Sequence, residues 1–126
     1  MEDVEFSDGF CRFIQTTIPA VDAAELLLLF HSKPELQWSA QEAVAKLGPG
    51  ISISGALKYL EQFQSRGLVA SVDDKFQYRP GSEHAAHVAI LAQAYAQRPV
   101  TLIRVIYALR DSKIQNFADA FKIRRS

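Results

Sequence analysis

The stretch SAQEAVAKLGPGISISGALKYLEQFQSRGLVASVDDKFQYRP, residues 39–80, changes its hydrophobic period once, and that change decides the fold. It opens on a capping box. The Ser39 hydroxyl suits the third helical N–H, and Glu42 reaches back to the N–H of Ser39. The short helix that follows puts Ala40, Val44 and Leu47 on one side. Gly48-Pro49-Gly50 ends it. Ser52 or Ser54 then caps a second helix, with Ile53, Ala56, Leu57, Leu60 and Phe63 expected on its inner face. Arg66-Gly67 supplies a C-terminal cation and a left-handed stop. Beyond Gly67 the pattern alternates. Leu68–Ser71 and Lys75–Arg79 read as two short strands, Val72-Asp73-Asp74 as the turn between them, and Pro80-Gly81 as the close of the hairpin.

Working outward from this stretch, Glu35–Trp38 is a short extended piece. Before it, Val21–Ser32 contains AAELLLLF, apolar almost all round, and reads as a central buried helix stopped by Lys33-Pro34. Phe6, Phe10, Phe13 and Ile14 share one face of an earlier helix, and Pro19 separates it from the next. Downstream, one helix is expected from about Glu83 to Gln97. A second runs from Pro99 to about Leu109, with the proline in its first turn. A third, capped by Asp111 or Ser112, carries Ile114, Phe117, Ala118 and Phe121 on one face, with Lys122, Arg124 and Arg125 at its C-terminal end.

These elements predict a mainly α chain with a small β-wing, in one compact domain of three parts: an N-terminal helix in 1–20, a helix-turn-helix with hairpin in 21–80, and a C-terminal helical extension in 81–126. The order over Val21 to Pro80 resembles that of bacterial winged helix-turn-helix regulators. That resemblance implies that the Trp38 segment pairs with the hairpin as a third strand. The tail Phe117-Ala118-Asp119-Ala120-Phe121, after Ala94-Tyr95 and Arg98-Pro99-Val100, is similar to a group of bacterial proteins that carry a comparable FADAF helix after a winged helix. No activity comes with this likeness.

Composition narrows the classes further. The length of 126 residues suits one domain, and 48% hydrophobic residues suffice for a core. The single cysteine, Cys11, excludes an internal disulfide and fits a reducing compartment, so a cytoplasmic location is expected. The acidic start MEDVEFSDGF has no signal-peptide pattern, and no apolar run approaches the roughly 20 residues of a membrane span. Net charge is zero, but unevenly laid out: −3 over residues 1–20, −1 over 21–80 and +4 over 81–126.

The winged-helix resemblance implies that the second helix of the motif enters the major groove of DNA. Its outer face offers Ser54, Lys58, Gln62 and Ser65, side-chain types that bond base edges, and Lys75 and Arg79 on the hairpin would meet phosphates. Glu61, Asp73 and Asp74 oppose them, and phosphate neutralisation normally supplies much of the affinity. The first reading is therefore a double-stranded-DNA-binding transcriptional regulator that works as a homodimer, doubling its contacts on a palindromic site. The second is a protein-interaction module that keeps the fold without DNA. Its candidate surfaces are Phe6, Phe10 and Phe13 in the first helix, and Ile114, Phe117 and Phe121 in the last. A small-molecule sensor, with its ligand between the central and C-terminal helices, is a third reading, although core packing accounts for the same residues.

Chemistry is not expected. His84 and His87, three apart, lack further ligands nearby for a metal. Cys11 lies on an apolar helix and packs. Gly48-Pro49-Gly50 lacks the Lys-Ser/Thr of a phosphate loop. Asp73-Asp74 is a turn pair with nothing to enclose it. No catalytic residue, cofactor or metal is assigned.

Overall fold

The computed structural model describes residues 6–110, which hold six helices and a three-stranded antiparallel sheet. The expected last helix, with Ile114, Phe117 and Phe121, lies outside the described residues, as does the basic tail.

Helix α1 (Asp8–Thr17) is capped by Ser7, whose hydroxyl accepts from the Phe10 N–H at 3.1 Å. Helix α2 (Val21–Ser32) buries Ala23, Ala24, Leu26, Leu27 and Phe30, and packs against the motif on one side and the later helices on the other. Its apolar residues are used on more than one side: beside the buried set, Leu28 and Leu29 are half-buried against the core. Strand β1 (Gln37–Trp38) follows, then α3 (Ala40–Leu47), α4 (Ile53–Ser65), β2 (Val69–Val72) and β3 (Lys75–Tyr78). Helices α5 (Ser82–Gln97) and α6 (Pro99–Arg110) pack on α1, and α5 also packs on α2.

Sheet order is β1-β3-β2. The Trp38 segment does join the hairpin, with Gln37 opposite Gln77 and Trp38 opposite Phe76. The two strands of the hairpin are joined by Asp73-Asp74, and Asp73 takes φ 56°, a left-handed conformation that aspartate tolerates better than most residues. Gly67 stands at φ 79°, and the Leu68 N–H returns to the Phe63 carbonyl at 2.9 Å, so the stop expected at Arg66-Gly67 forms as read.

Two expectations are corrected. The buried arc of α4 holds Ala56, Leu60 and Phe63, but not Ile53 and Leu57, which are 49% and 41% exposed. Burial of Ala56, Leu60 and Phe63 sets the rotation and leaves Leu57 on the outer edge, while at the other edge the Tyr59 hydroxyl donates to Asp22 of α2 at 3.0 Å. In α3, Ala40, Val44 and Leu47 do face the core, the last two half-buried, and Ala43 is fully buried beside them. Phe10 and Phe13 do not form an open face. They are 0% and 4% exposed, in the core, with Phe6 packed edge-on to Phe10. The cause is α5. Its His87 ring lies 5.3 Å from Phe13 and 6.4 Å from Phe10, and covers them.

Candidate nucleic-acid interface

Helix α4 is placed by its two ends. The Ser52 hydroxyl accepts from the Gly55 N–H at 3.0 Å and starts it, and the Gly67 turn stops it. Between these, Ala56, Leu60 and Phe63 fix its rotation. The rotation leaves Ser54, Lys58, Gln62 and Ser65 exposed on the opposite side, in one stripe about three turns long. Glu61 is exposed beside Lys58, and Ile53 and Leu57 flank the stripe. The four expected reading residues are thus brought together, though the Ser65 hydroxyl already donates to the Gln62 carbonyl at 2.8 Å.

The hairpin cations are a different matter. Lys75 Nζ lies 3.3 Å from Glu42 Oε2, and Arg79 donates to the Gln77 carboxamide oxygen at 3.3 Å. Glu42 also accepts from the Ser39 N–H at 3.0 Å, completing the capping box of α3. That backbone bond, and then Lys75, hold its carboxyl below the ordinary 4.5, so it is a full negative charge at neutral pH. One of the two hairpin cations is therefore already partly neutralised. Asp73 and Asp74 are exposed at the tip.

Away from this face, two tyrosines bond carboxylates far along the chain. Besides Tyr59 with Asp22, the Tyr95 hydroxyl donates to Glu25 Oε2 at 2.7 Å. The bond to Glu25, with some burial, raises the Tyr95 hydroxyl above its usual 10. Burial raises Tyr78 to about 12, where it stands edge-on to His31. Sequence reasoning missed both tyrosine–carboxylate bonds and the Glu42–Lys75 pair, because each joins positions 33 or more apart. His84 and His87 pack on the Phe13 ring, and no group of three metal-ligating side chains occurs among the described residues. Cys11 is buried. No single helix among the described residues is long and apolar enough to cross a membrane.

Comparison of the chain with protein-family models, with curated proteins and with solved structures gives no match.

Proposed function

We propose that the chain is a winged-helix DNA-binding regulator that acts as a homodimer. The observation that carries this reading is the exposed Ser54, Lys58, Gln62 and Ser65 stripe on α4. Serine, lysine and glutamine side chains offer the donors and acceptors that base edges in the major groove require. The order α2-β1-α3-α4-β2-β3, with β1 paired to β3, supports the winged-helix assignment. In that geometry the hairpin lies against the backbone beside the groove, where Arg79 meets phosphates and Lys75 contributes less because Glu42 pairs with it.

Charge explains why a dimer is part of the proposal. On α4 and the hairpin, Lys58, Arg66, Lys75 and Arg79 stand against Glu61, Asp73 and Asp74. A single copy therefore neutralises few phosphates, and two copies on one palindrome double the number. The reading gives the protein no catalytic role and no cofactor. Its test is selection from a random duplex library, followed by titration at several salt concentrations. A selected palindrome, with affinity that falls steeply as salt rises, is the expected result.

One observation favours a second reading, a protein-docking module. Ile53 and Leu57 are exposed beside the polar stripe, and contact with another protein would cover them, whereas DNA phosphates would not. Binding that persists at high salt and fails in Leu57→Glu, with no selected duplex, is the outcome that favours it.

A further inference from the structure

A cleft of about 370 Å³ lies between α2, α3 and α5, lined by Glu25, Leu28, Leu29, Lys46, Leu47 and Tyr95. It is a shallow, open cleft whose lining is nearly as polar as it is apolar. Leu28 and Leu29 of α2 and Leu47 at the end of α3 are only half-buried, so the fold leaves part of each side chain facing the cleft.

The polar groups are of opposite sign. Glu25 is held in place by Tyr95, which donates to its Oε2 at 2.7 Å from α5. Its other oxygen has no hydrogen bond among the described residues. Lys46 forms no ion pair among the described residues, with Glu25 or with any other carboxylate. A carboxylate anchored by Tyr95 and an exposed ammonium with no ion pair among the described residues therefore line one open cleft of mixed polar and apolar character.

We infer that this cleft binds a small zwitterion with an aliphatic side chain, the chemistry of a free aliphatic amino acid. Its ammonium bonds the open oxygen of Glu25, its carboxylate meets Lys46, and its side chain lies on Leu28, Leu29 and Leu47. Both contacts are charge-assisted, the stronger kind of hydrogen bond. Tyr95 acts as a positioning residue. Its hydroxyl, held above its ordinary value, stays a donor to Glu25 throughout the neutral range. Because the cleft exists only when α2, α3 and α5 are packed, a ligand there stabilises the folded chain by mass action.

The test uses the full chain, free of DNA, so its outcome is separate from that of the DNA-binding reading. The probes are L-leucine, isoamylamine (no carboxylate), 4-methylpentanoate (no amine) and glycine (no aliphatic side chain). Amide shifts and the melting temperature are followed. L-Leucine is expected to give saturable shifts in α2, α3 and α5 and to raise the melting temperature. Each truncated probe binds about tenfold more weakly, as does L-leucine to Glu25→Gln or Lys46→Met. Tyr95→Phe, which frees Glu25 without removing its charge, weakens binding less than Glu25→Gln. Absence of saturable shifts up to about 10 mM, beyond even millimolar affinity, overturns the proposal. So does L-leucine binding that is unchanged in both Glu25→Gln and Lys46→Met. If Glu25→Gln alone lowers the melting point of the free chain, the wild-type probe series decides: equal binding of L-leucine and 4-methylpentanoate removes the role of Glu25.

Discussion

Glu42 on α3 and Lys75 on β3 form an ion pair at 3.3 Å, and the same Glu42 carboxylate closes the capping box on the Ser39 N–H. One side chain thus starts the first helix of the motif and ties it to the hairpin. Both partners are nearly half exposed, so solvent screens their attraction and the pair adds little to stability. Its larger consequence is electrostatic, because it withdraws a cation from the proposed DNA face.

Glu42→Gln is expected to lower the melting temperature only slightly, since the amide oxygen still accepts from Ser39. It frees Lys75 and removes a negative charge, so DNA binding should tighten and its dependence on salt should steepen. Duplex titrations at three salt concentrations check this; unchanged binding and an unchanged salt slope in Glu42→Gln would place the pair away from the phosphates.

The carboxyl of Glu42 is lowered below 4.5 in the folded chain, which fixes the direction of its pH effect. A lowered folded value means stability that is present above the unfolded value and lost as pH falls through the folded one. Glu42→Gln should therefore narrow its difference from wild type as pH falls below 4.5, with the two curves parallel from pH 6 to 8 apart from other groups. Melting curves over that range test the sign.

The rotation of α4 gives a stability contrast along one helix. Phe63→Ala, at a fully buried site, should cost about 3–5 kcal/mol, a large part of the roughly 5–15 kcal/mol of a typical domain. Ile53→Ala, at a half-exposed site, should cost less than about 1 kcal/mol. Urea unfolding measures both. Equal large losses would return Ile53 to the core.

Gly67 has a backbone requirement that Gly50 lacks. At φ 79°, Gly67→Ala is expected to cost about 1–2 kcal/mol even though nothing lies within 4 Å of an added methyl. Gly50→Ala, with the same open space and no positive φ, should be neutral or slightly stabilising. Denaturant midpoints for the two variants separate strain from crowding.

Much of the architecture was legible because its signals are local. The Ser39 capping box and the Gly67 stop are each written within a few residues and formed as read; the alternation after Gly67 gave two strands, shifted to Val69–Val72 and Lys75–Tyr78, so that Val72, expected in the turn, pairs with Lys75. The pairing of Trp38 with Phe76 followed from the resemblance and not from periodicity. What failed was rotation and cover. Ile53 and Leu57 fit a helical inner face by spacing, but packing around Ala56, Leu60 and Phe63, with Tyr59 bonded to Asp22 of α2, turns the other edge inward. The spacing of Phe10 and Phe13 favours packing within the domain but leaves a contact surface open, and the approach of His87 from α5 decides for the core. The neutralisation of Lys75 was equally invisible, because Glu42 already had a local role in the cap.

Lys58 is the basic residue at the middle of the exposed stripe on α4, and its replacement tests the proposed function most directly. The measurement is the salt dependence of binding to a library-selected duplex, for wild type and Lys58→Ala side by side. The proposal predicts that Lys58→Ala leaves the melting temperature unchanged, weakens binding, and reduces the log–log salt slope by about one. A library that yields no enriched duplex, or a slope that is flat and the same in both proteins, contradicts it.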